Sequence, residues 1–372
     1  MIYLDSAATT FQKPLSVSYA MQRAMRTMSS PGRGGYAAAR AAEETAFRCR
    51  SLAAELFGVP SPEQVVFASN ATHALNIAIR SLVPEGGRVA VSGYEHNAVT
   101  RPLHALGARI KVAASPLFDR AALLRAFENS ISPELDAVVC THVSNVFGFV
   151  LPIEEIAALC RAERVPLIVD ASQSAGILPF ELDTLGAAFI AMPGHKGLYG
   201  PQGTGLLLCA QDAAPLLYGG TGSASDSEYL PPYLPDRFES GTANIPGYYG
   251  WEAALRFIEE RGVDSLRQHE MALCQRFLEG LETIPHVRMV GPKDLEHRVG
   301  VISVDFLRRD NAEMAYALEA QYGILTRCGL HCAPSAHKTL GTFPQGTVRF
   351  SLGWASTEAD VDAALAAIRA LA

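Results

Sequence analysis

Short apolar bursts rich in valine, isoleucine and leucine recur through the first part of the chain: Val65-Val66-Phe67-Ala68, Val89-Ala90-Val91, Ala137-Val138-Val139-Cys140, Leu167-Ile168-Val169, Phe189-Ile190-Ala191 and Gly205-Leu206-Leu207-Leu208. Apolarity without alternation belongs to strands covered on both faces, as in a mostly parallel sheet. Residues 71–82, 97–106, 119–128 and 153–163 carry helical periodicity between the bursts, so the pattern predicts an α/β layered fold. Beyond residue 210 the texture changes. Residues 219–241 mix glycine, serine, aspartate and proline without periodicity, a length of irregular chain that in a compact domain usually serves function. Helical patterns at 247–261 and 263–281, strands at 287–290 and 299–304, a helix at 311–321 and a strand-helix unit over 347–371 predict a smaller α+β domain, with the boundary inside the long helix near 255.

In open α/β sheets ligands gather beyond the carboxyl ends of the strands. The residues there are Asn70-Ala71-Thr72, then Glu95-His96, Asn145, Asp170 with Gln173, and finally His195-Lys196. Lys196 stands between an apolar strand and a turn containing Gly194, Gly197 and Gly200, which permit backbone to approach a ligand. Pyridoxal 5'-phosphate chemistry needs an amine to hold the aldehyde as an imine and a carboxylate to keep the pyridine nitrogen protonated; Lys196 and Asp170 are such a pair. A surface lysine in a turn is the duller alternative, and a P-loop is excluded because no Gly-Lys-Ser/Thr closes the run. Asp170 and Gln173 either face one flat ligand or form a helix cap and a surface amide. Asn70-Ala71-Thr72-His73 opens a helix whose N–H groups suit a phosphate, or is simply capped. His96 suits stacking on a ring and proton shuttling, or is a histidine satisfied at a helix start; His195 suits a phosphate oxygen or a shield over the ring.

Cys332 lies in Thr326-Arg327-Cys328-Gly329-Leu330-His331-Cys332-Ala333-Pro334, where positive charge from Arg327 and His331 would favour the reactive thiolate. A buried structural thiol is the alternative; zinc on Cys328, His331, Cys332 and His337 fits the spacing of neither a ribbon nor a finger. Arg349, in an apolar strand, suits a substrate carboxylate as well as a structural ion pair. The formal charge of −7, without a basic run, gives no attraction for nucleic acid or an anionic membrane surface. No signal-type N-terminus and no long apolar stretch is present, so a cytoplasmic protein is expected. The 7 scattered cysteines read as reduced thiols.

Taken in order, Asp5-Ser6-Ala7-Ala8-Thr9-Thr10, Asn70-Ala71-Thr72, Glu95-His96, Asn145-Val146-Phe147-Gly148, Asp170-Ala171-Ser172-Gln173, Gly194-His195-Lys196, Arg237-Phe238-Glu239-Ser240-Gly241-Thr242 and the Arg327 to Cys332 segment resemble the class V aminotransferase family, specifically its cysteine desulfurases and selenocysteine lyases. The cysteine segment is similar to that of the second desulfurase group, and the resemblance covers essentially the whole chain. It implies a fold-type-I pyridoxal phosphate enzyme, a homodimer, with a large cofactor domain over 16–255 and a small domain over 256–372 that also takes in 1–15. By resemblance Lys196 carries the cofactor, Asp170 contacts the pyridinium, Gln173 the phenolic oxygen, and His96 stacks on the ring. Ala71, Thr72 and His195 hold the phosphate, joined by Thr242 from the other subunit; Asn145 and Arg349 hold the substrate. Cys332 accepts the sulfur of L-cysteine, or stands beside selenocysteine, with L-alanine released and the sulfur passed to a protein acceptor. A C–S β-lyase or an aminotransferase of the same fold is the alternative, in which Cys332 is incidental, and a non-catalytic cofactor-binding module is a third reading. The chain departs from the family at Pro193, where a serine hydroxyl usually contacts the phosphate; proline has neither hydroxyl nor N–H.

Overall fold

The structure, a computed structural model, describes residues 1–32 and 34–372. Its centre is a 7-stranded sheet in the spatial order Val65–Ala68, Gly205–Cys209, Phe189–Pro193, Leu167–Asp170, Ala137–Thr141, Arg88–Ser92, Arg109–Ala113. Gly205–Cys209 alone runs against the rest; the other pairings are parallel. Strands this deep have no solvent face, which is why they read as continuous apolar runs rather than alternating ones.

Side chains nevertheless alternate between two cores, as the period of a strand requires. Val66, Val139, Ile168 and Ala191 point toward the helices Ala71–Leu82 and Asn97–Ala105. Val65, Val138, Val169 and Ile190 point toward Ala37–Leu56, Ile153–Glu163 and Ile245–Arg261 on the opposite face. Arg109–Ala113 escapes an apolar-burst reading because it is an edge strand, whose Arg109 and Lys111 are exposed. The helices Leu15–Thr27 and Ala37–Leu56 are also absent from the sequence reading. Both are alanine-containing amphipathic segments that pack on Ile245–Arg261.

A second sheet of 4 strands follows, in the order Arg327–Gly329, Thr347–Ser351, Val301–Phe306, Val287–Val290, all antiparallel. The helices Val263–Glu282, Asn311–Tyr322 and Glu358–Leu371 cover it around Phe277, Ile302, Phe350 and Val361. The chain start joins this region: Ile2–Tyr3 pairs in parallel with Ile324–Leu325, and Asp5 bridges to Ser351. Residues 219–241 contain no helix or strand, as their composition predicts. Their far end is nonetheless anchored. Glu239 accepts both guanidinium nitrogens of buried Arg50 at 2.7 and 2.8 Å and the Phe67 N–H at 2.6 Å, while Arg50 lies 4.2 Å from the Phe67 ring centre. Among the described residues no helix is long and apolar enough to cross a membrane.

Candidate active site

The carboxyl ends of the parallel strands converge as the sequence predicts. Asp170 closes Leu167–Asp170 and is 3% exposed, with Oδ1 accepting the Ser172 N–H at 2.9 Å; no partner occupies Oδ2 among the described residues. His96 caps the helix Asn97–Ala105. Its Nδ1 accepts the Ala98 N–H at 3.0 Å, so the ring is the Nε2–H tautomer, and burial holds it neutral against the opposing pull of Asp170. Glu95, just before it, is buried and pushed up to about 8 by desolvation; Oε1 accepts the Thr141 N–H at 3.0 Å, linking two strand ends. Gln173 Nε2 donates to the Ala7 carbonyl at 3.0 Å, which brings the N-terminal segment over the site.

Lys196 follows Phe189–Pro193 on a turn whose residues are fixed by Thr10: its N–H donates to the His195 carbonyl at 2.9 Å and its hydroxyl to the Lys196 carbonyl at 2.9 Å. The glycines of this turn serve packing rather than ligand approach. A Cβ on Gly197 would lie 2.5 Å from the Ala175 carbonyl oxygen, and one on Gly200 2.6 Å from the Trp251 ring. The Lys196 amine has no hydrogen-bond or ion-pair partner among the described residues, and its pKa is lowered to about 8, chiefly by desolvation and further by Arg349 and Arg327, while Asp170 pulls the other way. At pH 7 roughly one amine in ten is then unprotonated, against roughly one in three thousand at an unshifted 10.5. Addition of pyridoxal phosphate to the cofactor-free chain is therefore expected to quicken as pH rises through about 8 and to level off above it. Stopped-flow absorbance against pH measures this; a rate still climbing tenfold per unit at pH 9.5 would contradict the depressed amine.

Arg349, 1% exposed, extends from Thr347–Ser351 beside its register partner Arg327. Its Nη2 donates to Asp5 Oδ1 at 2.6 Å and its Nη1 to the Asn145 carbonyl at 3.0 Å. Arg349 is paired with the Asp5 carboxylate and Arg327 with none among the described residues, leaving positive charge for an incoming anion. Asp5 and Arg349, at opposite ends of the chain, form a pair that no local spacing announces. Cys332 is half-buried, with Sγ 4.0 Å from Arg327 Nη2. One expectation for this segment needs correcting. His331 supplies no charge to the thiol: it is buried, its Nε2 faces the Thr347 carbonyl at 3.2 Å, and burial drives its pKa well below the usual value, so Arg327 is the cation beside Sγ. Among the described residues no group of three or more His, Cys, Asp or Glu side chains could hold a metal ion.

At the other end, Asn70 Oδ1 accepts the His73 N–H at 2.9 Å, leaving the N–H groups of Ala71 and Thr72 at the positive end of Ala71–Leu82 without partners among the described residues. His195 Nδ1 lies 3.0 Å from Thr9 Oγ1. Pro193 pairs in register with Gly205, and a Cβ on Gly205 would lie 2.7 Å from the Asn70 carbonyl carbon, so this strand end presses against the helix start. Within one chain Thr242 does not join Lys196. It is exposed and lines a recess of about 570 Å³ with Ser69, His73, Gly203 and Asn244, which includes none of Lys196, Asp170 or His96. That recess therefore does not contain Lys196; the interacting charges, not the volume, mark the site.

The sequence model of the family described as Aminotransferase class-V matches residues 2–364. A probable cysteine desulfurase of Mycolicibacterium paratuberculosis is 32% identical over 395 residues, covering 100% of this chain and 55% of that protein. The chain thus spans about half the length of that relative. One from Methanothermobacter thermautotrophicus is 30% identical over 374 residues, covering 97% of this chain and 92% of the relative. Among solved structures, the apo cysteine desulfurase from Thermococcus onnurineus NA1 superimposes with a TM-score of 0.92 at 30% identity, covering 100% and 94% of the two chains. A cysteine desulfurase from Escherichia coli in an S-sulfonic acid form gives 0.86 at 26% identity, covering 99% and 94%.

Proposed function

The chain belongs to the aminotransferase class-V family, and from that premise we propose that it is a pyridoxal 5'-phosphate-dependent cysteine desulfurase, which moves sulfur from L-cysteine to Cys332 and releases L-alanine. The observation that carries the reading is the gathering of an unpartnered amine, a buried carboxylate, two arginines and a half-buried thiol from distant parts of the chain. The cofactor fits what these residues leave open. Among the described residues no partner meets the Lys196 amine, Asp170 Oδ2 or the N–H groups of Ala71 and Thr72 at the helix start. Lys196 would hold the aldehyde carbon, Asp170 the ring nitrogen, Gln173 the phenolic oxygen, and Ala71, Thr72 and His195 the phosphate, with His96 on the ring face. When bound, the cofactor supplies an electron sink beside the substrate's amino group.

The chain's own groups do the rest. Arg349 receives the substrate carboxylate and so fixes which substrate bond faces Lys196. The Lys196 amine, once displaced, is unprotonated often enough near pH 8 to take the Cα proton. Neutral His96, with its proton on Nε2, can deliver one. Cys332 attacks the substrate sulfur as a thiolate: an S–S bond forms, the Cβ–S bond breaks, and its electron pair stays with the carbon skeleton, which takes up a proton and leaves as alanine. Cysteine plus thiol gives alanine plus persulfide, so no external oxidant is needed. Selenocysteine fits the same path, and a protein acceptor would then remove the sulfur.

A cytoplasmic homodimer completes the proposal, together with the division into 16–255 and 256–372 with 1–15. Exposed Leu15, Tyr19 and Met25 on one helix, and Leu217, Tyr218, Tyr229 and Tyr233 on the segment leading to Thr242, support a covered face there. Incubation of the cofactor-loaded protein with L-cysteine tests the reaction. The expected result is alanine in equal amount to sulfur transferred, with the Cys332 peptide heavier by one sulfur atom; pyruvate and free sulfide without that mass change would establish a lyase instead.

A further inference from the structure

We propose that Asn145 is a positioning residue, which latches the turn carrying Cys332 to the arginine that receives the substrate carboxylate. The inference rests on the desulfurase reading and adds to it a residue that sets where the thiol stands. Asn145 faces both ways. Its side-chain Nδ2 donates to the His331 carbonyl at 2.7 Å, and its own carbonyl accepts Arg349 Nη1 at 3.0 Å. It is mounted on a rigid loop: Val143 and Val150 bridge, the Ser144 N–H donates to the Phe149 carbonyl at 2.9 Å, and Ser303 Oγ donates to the Val146 carbonyl at 2.6 Å.

The turn it holds needs holding. His331 and Cys332 are consecutive non-glycine residues with φ of 48° and 60°, a left-handed conformation that relaxes unless its surroundings impose it. Two neighbouring carbonyls supply the restraint. Asn145 takes the His331 carbonyl, and the Asn97 N–H, next to His96, takes that of Cys332 at 2.9 Å. One N–H of the Asn145 amide is thus given to the cysteine turn, while its second N–H and the free N–H groups of Arg349 remain for the substrate carboxylate.

Asn145→Ala and the isosteric Asn145→Asp, which cannot donate, test this in the cofactor-loaded protein by two readouts. One is alanine formation from cysteine. The other, made without cysteine, is the alkylation rate of Cys332 by iodoacetamide, with Cys328 as an internal standard on the same segment and the buried Cys49, Cys140, Cys160, Cys209 and Cys274 as monitors of unfolding. Loss of one hydrogen bond to a strained turn is expected to lower kcat by about tenfold and raise Cys332 alkylation by about fivefold. An increase in KM at unchanged kcat and unchanged alkylation would place Asn145 on the substrate and overturn the latch, as would wild-type behaviour in both assays. If the alanine variant labels the buried cysteines, the aspartate variant decides by the same criteria. The alkylation arm does not depend on turnover, so a chain that forms no alanine still reports on the latch.

Discussion

Lys196→Ala is expected to remove alanine formation altogether, a fall of at least roughly four orders of magnitude. The amine has two duties. In the proposed reaction it anchors the cofactor aldehyde and takes the substrate proton, and loss of general base function alone typically costs about 10²–10⁴-fold. Arginine cannot substitute: it keeps the charge but is never unprotonated near neutral pH, so Lys196→Arg should be equally inactive. Borohydride reduction followed by peptide mass mapping checks the anchor directly, since the cofactor should be fixed on the Lys196 peptide in wild type and on no peptide in either variant. Label on another lysine in wild type would remove the basis of the assignment. The loss should not be one of folding. Because the folded-state pKa of Lys196 is depressed to about 8, the unfolded chain binds the extra proton between about 8 and 10.5, and the contribution of Lys196 to wild-type stability rises with pH across that window. The alanine variant lacks that rise. Denaturant unfolding at pH 7.5 and 10 reads the difference, and at pH 7.5 the variant should be no less stable than wild type.

The central sheet was legible from sequence because depth and apolarity go together: Ala137–Thr141 and Leu167–Asp170 are buried at every position. Where depth fails, so does the reading. Arg109–Ala113 is just as much a strand, but its edge position admits charges that break the apolar run. Strand Arg327–Gly329 is too short and too polar to show a period, and its existence follows only from register with Thr347–Ser351. The site was legible where chemistry sits next to a strand end, as at Asp170, His96 and Lys196. It was illegible where the argument needs distance. Sequence placed a charged histidine beside Cys332, whereas the neighbouring strand turns His331 inward and neutral and lets Arg327 take the place next to Sγ. Asp5 and Asn145 belong with Arg349 for the same reason, through contacts between segments that only the folded chain brings together. Thr242 shows the opposite limit: the single chain keeps it in another recess, so its sequence-based role depends on a second copy.

Cys332→Ser should separate sulfur transfer from the chemistry that precedes it. The hydroxyl replaces the sulfur in nearly the same volume but is not ionised near neutral pH and does not attack sulfur, so alanine formation from cysteine is expected to fall at least roughly a hundredfold, about 2.7 kcal/mol of transition-state stabilisation. Everything upstream should survive. In the proposed site cofactor uptake rests on Lys196, Asp170 and the helix start at Ala71, and carboxylate binding on Arg349, held by Asp5 at 2.6 Å, so the thiol is needed for neither. The variant should therefore still change its visible absorbance when cysteine is added, at a wild-type concentration dependence, and then stall. Selenocysteine sharpens the comparison, because selenium can leave as the element, with the C–Se electron pair staying on the carbon skeleton, so that alanine forms in the same variant without a thiol acceptor. Retained activity with selenocysteine beside lost activity with cysteine would assign Cys332 to sulfur capture alone. Retained turnover of both, with pyruvate formed in place of alanine, would make the thiol incidental and the enzyme a C–S lyase, and the proximity of Arg327 Nη2 to Sγ at 4.0 Å would then have no catalytic meaning.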